Sequence, residues 1–157
     1  MNYMDANLSL TASQPSLPWL SLIVLVPLFG ALIMPFFPER EEGHYKTPRT
    51  FAISILFIDL LLIIFTFFKV FNSNVSDLQL IERVQWLPSI GLEWSLGADG
   101  LSAPLVLLSG LITLLSAVAS WKIEQKSRLY FALLLIQASA QSLVFLSQDF
   151  LLFFLSW

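Results

Sequence analysis

The sequence has no cysteine, one histidine, and charge on only 12% of its 157 residues. Without cysteine, this chain holds no disulfide, thiolate metal site or cysteine-ligated Fe–S cluster. His44 has no second histidine with which to form a metal pair, and in its charged stretch it reads as a solvated side chain. The net charge is −3 and no basic block is present, so nucleic acid is not a credible partner. Residues 1–16 carry Asp5 as their one charged side chain, which fits neither a signal peptide nor a transit peptide. There is no glycine-rich phosphate loop followed by lysine, and no nucleophile–histidine pair. By itself the chain shows no catalytic, cofactor-binding or metal-binding site.

What remains is apolar. Hydrophobic residues make up 57% of the chain and the mean hydropathy is +0.78, far from an ordinary soluble domain. Four runs of about 20 apolar residues, each long enough to cross a bilayer core, predict an all-α transmembrane helix bundle. They span 17–37, 50–71, 101–121 and 129–147, and 150–157 reads as the start of a fifth helix. Between them lie an N-terminal segment (1–16), polar loops at 38–49 and 122–128, and a longer loop at 72–100. Ser16 and Pro18 suit the start of the first helix, and Thr47-Pro48 suits the cap and first position of the second. Pro27 is expected to kink the first helix, Pro35 and Pro38 to end it, and Lys69 to snorkel towards the interface.

The stretch Gly97–Trp121 organises the rest. After the turn Gly97-Ala98-Asp99-Gly100, Ser102, Ser109, Thr113, Ser116 and Ser120 fall on one helical face, flanked by Gly110 and Ala117. In lipid, helices associate where small residues let backbones approach and hydroxyls pair. This helix therefore reads as the inner member of the bundle. In the loop before it, residues 78–86 alternate imperfectly and residues 92–96 cleanly around Pro88 and Gly91, which predicts a β-hairpin. Trp86 and Trp94 are expected at headgroup level.

Six of the eight basic residues (Arg40, Lys46, Arg49, Lys122, Lys126, Arg128) lie in or beside the two short polar loops. The positive-inside rule puts those loops in the cytoplasm, and the N-terminus and hairpin on the luminal or periplasmic side.

Asp59 is the sharpest candidate for chemistry. A charged aspartate at mid-bilayer costs about 2.5–3.5 kcal/mol, so it should face the bundle or water. It reads either as a proton-exchanging group on a proton path or as a protonated acid bonded to a neighbouring helix's serine or glutamine. Ser109 and Thr113 on the third helix, and Gln137 and Gln141 on the fourth with Gln148 beyond, read as interhelical glue, with a water-lined path as the alternative. Asp99 with Gly100 and Ser102 reads as a helix cap, and Asp149 as the cap of the fifth helix. Asn7-Leu8-Ser9 and Asn74-Val75-Ser76 match the glycosylation acceptor pattern, a weak signal.

The segments Asp77-Leu-Gln-Leu-Ile-Glu82, Trp86-Leu-Pro88, Gly91-Leu-Glu-Trp-Ser-Leu-Gly-Ala-Asp-Gly-Leu-Ser102 and Gln148-Asp-Phe-Leu-Leu-Phe-Phe-Leu-Ser-Trp157 carry a family resemblance. The chain resembles the N-terminal part of subunit 4 (the D subunit) of the cyanobacterial and chloroplast NAD(P)H–plastoquinone oxidoreductase. That subunit is one of the antiporter-like proteins shared by respiratory complex I and Mrp-type antiporters. Leu17-Pro-Trp-Leu20 and Phe57-Ile-Asp59-Leu60 resemble the respiratory form, whereas Gln137-Ala-Ser-Ala-Gln141 departs from the glycine-containing version. The resemblance implies a proton-translocating subunit in a thylakoid or equivalent membrane. It implies neighbouring antiporter-like subunits and lipid as partners, and no cofactor bound by this chain. NAD(P)H or ferredoxin, Fe–S clusters and plastoquinone are expected elsewhere in the complex. The family's fifth-helix glutamate falls immediately after the position of Trp157, and its lysines come later, so the chain reads as a fragment lacking that proton path. The resemblance also implies that Gly97-Ala-Asp-Gly-Leu-Ser102 is structural and that Asp59 is not among the family's proton-path residues. An Mrp-type antiporter subunit and a purely structural scaffold are the alternatives.

Overall fold

The computed structural model describes residues 17–37, 46–71, 78–87, 92–123 and 126–157. Ser16, Pro38, Arg40, His44, both glycosylation patterns and the Pro88–Gly91 turn lie outside them, as does the Trp86 side chain. Helices α1 (Trp19–Ile33), α2 (Lys46–Phe65), α3 (Ser102–Ala119) and α4 (Ser127–Leu146) form the bundle, and α5 (Phe150–Ser156) follows. Strands β1 (Gln79–Leu87) and β2 (Leu92–Ala98) pair antiparallel between α2 and α3. The result is the expected helical membrane bundle with a small hairpin. Four helices, extended by their terminal turns, are long and apolar enough to cross a membrane: Trp19–Phe36, Thr47–Lys69, Ser102–Lys122 and Ser127–Leu146.

The inner helix is not the expected one. Of the first span, 44% of residues are buried, against 22% of the third. The reason lies in the rest of the third helix's circumference. Leu105, Leu108, Leu111, Ile112, Leu115 and Val118 are exposed among the described residues, as is Ser116 of the stripe, so only part of the stripe makes contact, with Ser109 and Thr113 bonded to α4. On α1, Leu20, Ile23, Val24, Pro27, Gly30 and Ala31 are all buried. Close approach also occurs where α3 meets α2. A Cβ at Gly110 would sit 2.9 Å from Ile63 Cδ1, so glycine is what lets the two helices touch there.

One local expectation changes, and two further features add detail. Helix α2 is described from Lys46 onward, which puts Thr47 and Pro48 inside it rather than at its boundary. Pro27 lies inside α1, as expected of a membrane helix, and the helix runs on to Ile33 before a 3₁₀ turn, Met34–Phe36. Pro27 removes the helical donor to Ile23 O, and at the next carbonyl Ser139 Oγ on α4 donates to Val24 O at 2.7 Å, tying α4 to α1. Finally, α2 continues into a π-helical turn, Thr66–Val70, closed by Phe71 N donating to Thr66 O at 3.0 Å. Lys69 is exposed on that turn.

The imperfect alternation of β1 is real irregularity. The strand register shifts between Gln79 and Glu82, and Leu80 has φ 55° in the left-handed region. Leu80 and Glu82, two residues apart, are both buried on one face of the strand. An acidic side chain is thereby turned into the molecule.

Candidate functional site

Glu82 reaches the start of α1. Its Oε1 accepts from Leu20 N at 2.7 Å, and its Oε2 accepts from Ser21 N at 2.9 Å and from Ser21 Oγ at 2.5 Å. Trp94 Nε1 donates to the same Ser21 Oγ at 2.9 Å. The first N–H groups of a helix lack internal partners and carry the positive end of its dipole, so a carboxylate suits them. The cap of α1 comes from 62 residues along the chain, on the hairpin. Trp94 is half-buried, with its N–H bonded within the molecule.

The same end carries two more acidic caps. Asp99 Oδ1 accepts from Ser102 N at 2.6 Å and Leu101 N at 3.1 Å, while Asp99 N donates to Ser102 Oγ at 2.9 Å. The Ser102 backbone N–H foremost, then its hydroxyl, holds the Asp99 carboxyl below its ordinary value. Gly100 lies exposed in the turn between them, with open space around it. Asp149 Oδ1 accepts from Leu151 N at 3.2 Å at the start of α5. Gln148 is not on the α4 face, because α4 ends at Leu146; its backbone N–H donates to Ser95 O at 2.8 Å and fastens β2 to the α4–α5 junction. Gly97 belongs to that seam. A Cβ there would come 2.9 Å from Leu78 Cδ2 and 3.1 Å from Gln148 Cγ.

The opposite end uses arginine on carbonyls. Arg49 Nη2 donates to Ile123 O at 3.1 Å, with its guanidinium 6.0 Å from the centroid of Trp121. Arg128 Nη1 donates to Phe37 O at 3.0 Å and Pro35 O at 3.4 Å. Both sets of carbonyls follow helix C-termini, where the dipole favours a cation. Ser120 Oγ and Tyr130 Oη pair at 2.7 Å beside them.

Within the membrane-spanning region the polar residues divide. Gln141 Oε1 accepts from Ser109 Oγ at 2.9 Å and Thr113 Oγ1 at 3.2 Å, which joins α3 to α4. Gln137, one turn away, is exposed. The core there is formed by Ala117, Leu134 and Ala138 instead. Asp59 joins neither group. It is 3% exposed, and its Oδ1 is enclosed with no hydrogen-bond partner among the described residues. Thr66, two turns further along the same face, is fully buried with its hydroxyl likewise unpartnered. Sequence reading singled out Asp59 but missed Glu82 and Thr66. For Glu82 the broken alternation of β1 was the available signal.

No family model matches the chain. Over 144 residues, 92% of its length, it is 48% identical to NAD(P)H-quinone oxidoreductase chain 4 of Prochlorococcus marinus (strain NATL1A). Its identity to the protein of the same name from Synechococcus sp. (strain CC9902) is also 48% over 144 residues. To NAD(P)H-quinone oxidoreductase chain 4 2 of Microcystis aeruginosa it is 44% identical over 140 residues, 89% of the chain. The match covers 26%, 26% and 25% of these relatives, so the chain spans about a quarter of their length. The resemblance carried by its motifs thus extends over nearly the whole sequence.

Proposed function

We propose that this chain forms part of the antiporter-like membrane subunit of a complex I-like NAD(P)H-quinone oxidoreductase and takes part in proton translocation coupled to quinone reduction. The observation that carries the reading is the 48% identity over 92% of the chain to proteins named chain 4 of that enzyme. Four apolar helices agree with a multi-pass membrane protein. Electron transfer belongs to other subunits in this reading. The donor (NAD(P)H or ferredoxin), the Fe–S clusters and plastoquinone are bound there, and this chain binds none of them. Its partners are the neighbouring membrane subunits, antiporter-like ones above all, together with lipid. The membrane is a thylakoid or an equivalent energy-coupling membrane, with the hairpin on the luminal side and Arg49 and Arg128 towards the cytoplasm.

The relatives' names favour this reading over an Mrp-type antiporter or a bare scaffold. The test is to tag the protein in its own membranes, purify it in mild detergent and identify what comes with it. The reading expects the other membrane subunits and the peripheral electron-transfer subunits of a quinone-reducing complex. It also expects loss of NAD(P)H- or ferredoxin-driven plastoquinone reduction, with its proton movement, on deletion. Co-purification with cation/proton antiporter subunits alone would overturn it.

A further inference from the structure

Asp59 is residue 13 of the 23-residue span Thr47–Lys69, counting from Thr47, and so lies near mid-membrane. It is buried, and its Oδ1 has no partner among the described residues, where an acid is least welcome. No countercharge faces it. Helices α1 and α3 contain no titratable side chain, and α4 contains Arg128 and Tyr130 alone, near its start. Those two are engaged with Phe37 O and Ser120. On α2 itself Lys46 and Arg49 lie ten or more residues towards the basic end, about 15 Å away along the helix, and Lys69 lies the same distance towards the hairpin. Glu82 on the hairpin is bound to the α1 N-terminus. A lone enclosed acid with neither countercharge nor hydrogen bond adds nothing to packing, because leucine would fill the space at lower cost.

Thr66 points the same way. Hydroxyls in membrane helices ordinarily bond back one turn, as Ser54 does to Thr50 O, Thr113 to Ser109 O and Ser116 to Ile112 O. Thr66 does not, although it is fully buried. It follows Asp59 by seven residues, two turns or about 10 Å along one face towards the hairpin. It also opens the π-helical turn, a backbone feature that recurs at functional sites.

We propose that Asp59 is a proton-binding residue and that Thr66 positions the water through which it exchanges protons with the hairpin-end surface. The proposal rests on the reading of this chain as part of a proton-translocating subunit and adds a proton site on α2. In it Asp59 holds the proton as a neutral carboxylic acid and releases it as a carboxylate. A file of water bridges the about 10 Å between the two side chains: the carboxyl gives its proton to the first water, the Thr66 hydroxyl orients the last, and the carboxylate recovers a proton on the next cycle.

Two measurements decide it. The first treats native membranes with a hydrophobic carbodiimide, which adds to protonated carboxyls in apolar surroundings, and locates the adduct by peptide mass spectrometry. An adduct on Asp59, absent with a water-soluble carbodiimide, is expected; no adduct on Asp59 overturns the proposal. This result does not depend on which complex the protein serves. The second compares Asp59→Asn, Thr66→Val and Thr66→Ser in the purified complex, reconstituted in vesicles. Proton movement per electron should fall severalfold in Asp59→Asn, fall less in Thr66→Val and stay near normal in Thr66→Ser, with the subunits still co-purifying. Unchanged proton movement in Asp59→Asn overturns the proposal. A wild-type complex that reduces no quinone overturns the functional reading instead, and the carbodiimide result still judges Asp59.

Discussion

The two ends of the bundle solve the same problem with opposite charges. At the hairpin end, Glu82, Asp99 and Asp149 accept from the first N–H groups of α1, α3 and α5. At the other end, Arg128 and Arg49 donate to the carbonyls that follow α1 and α3. Both α1 and α3 are therefore capped at each end, with the sign the helix dipole prefers. The sources differ. Asp99 and Asp149 are local caps a few residues from the bonds they make. Glu82, Arg49 and Arg128 come from other elements and so tie the hairpin to α1, α2 to α3, and α4 to α1. A sparsely charged chain thus uses its few buried or half-buried charges as ties between elements. Some of the basic residues that mark orientation in the sequence also have this structural role.

The largest effect should come from the tie that makes the most hydrogen bonds. Glu82→Ala leaves two α1 N–H groups and Ser21 Oγ without their acceptor, and should cost about 2–4 kcal/mol. Thermal unfolding of the purified protein in detergent, followed by tryptophan fluorescence, measures the cost, and Glu82→Gln should recover part of it. Arg49→Ala, which also strips Trp121 of its cation, should cost about 1–2 kcal/mol in the same assay. If the arginine variants cost more than Glu82→Ala, the hairpin is a passenger rather than a clamp. Asp99→Ala should cost about 1 kcal/mol, since its turn is largely solvent-exposed. Its pH dependence has a fixed sign. The carboxyl is held below its ordinary value, so its contribution is full above about pH 4 and fades as pH falls through the lower folded value. Asp99→Asn should flatten that part of the acid limb. Smallest of all, Gln141→Leu removes the Ser109 and Thr113 bonds and should cost less than about 1 kcal/mol, as interhelical bonds in membranes usually do.

Much of this was legible in the residues. Long uncharged runs set the helices because nothing else satisfies a backbone in lipid. The alternation around Pro88 and Gly91 set the hairpin, and the Asp99–Ser102 spacing identified a local cap. The parts that were not legible depend on contacts between distant segments. Glu82 lies 62 residues from Leu20, and no spacing rule announces that pairing. The serine stripe of α3 told of one contact face, and only the packing of α1 shows which helix is enclosed. Gln137 and Gln141 are equivalent by helical periodicity, yet only Gln141 meets a hydroxyl partner. Asp59 was visible as an acid in a lipid-length run, but its want of a partner was not.

The most direct test of the account is the sidedness of its two ends. These 157 residues contain no cysteine, so Gly100→Cys and Lys126→Cys each supply the one reporter within them, read out on its own peptide by mass spectrometry. Both positions are exposed, at the hairpin end and the basic end respectively. In sealed membrane vesicles of known orientation, a membrane-impermeant maleimide should reach the Gly100→Cys thiol from the luminal side and the Lys126→Cys thiol from the cytoplasmic side. Labelling of both from one side would contradict the four-span bundle and the assignment of its ends.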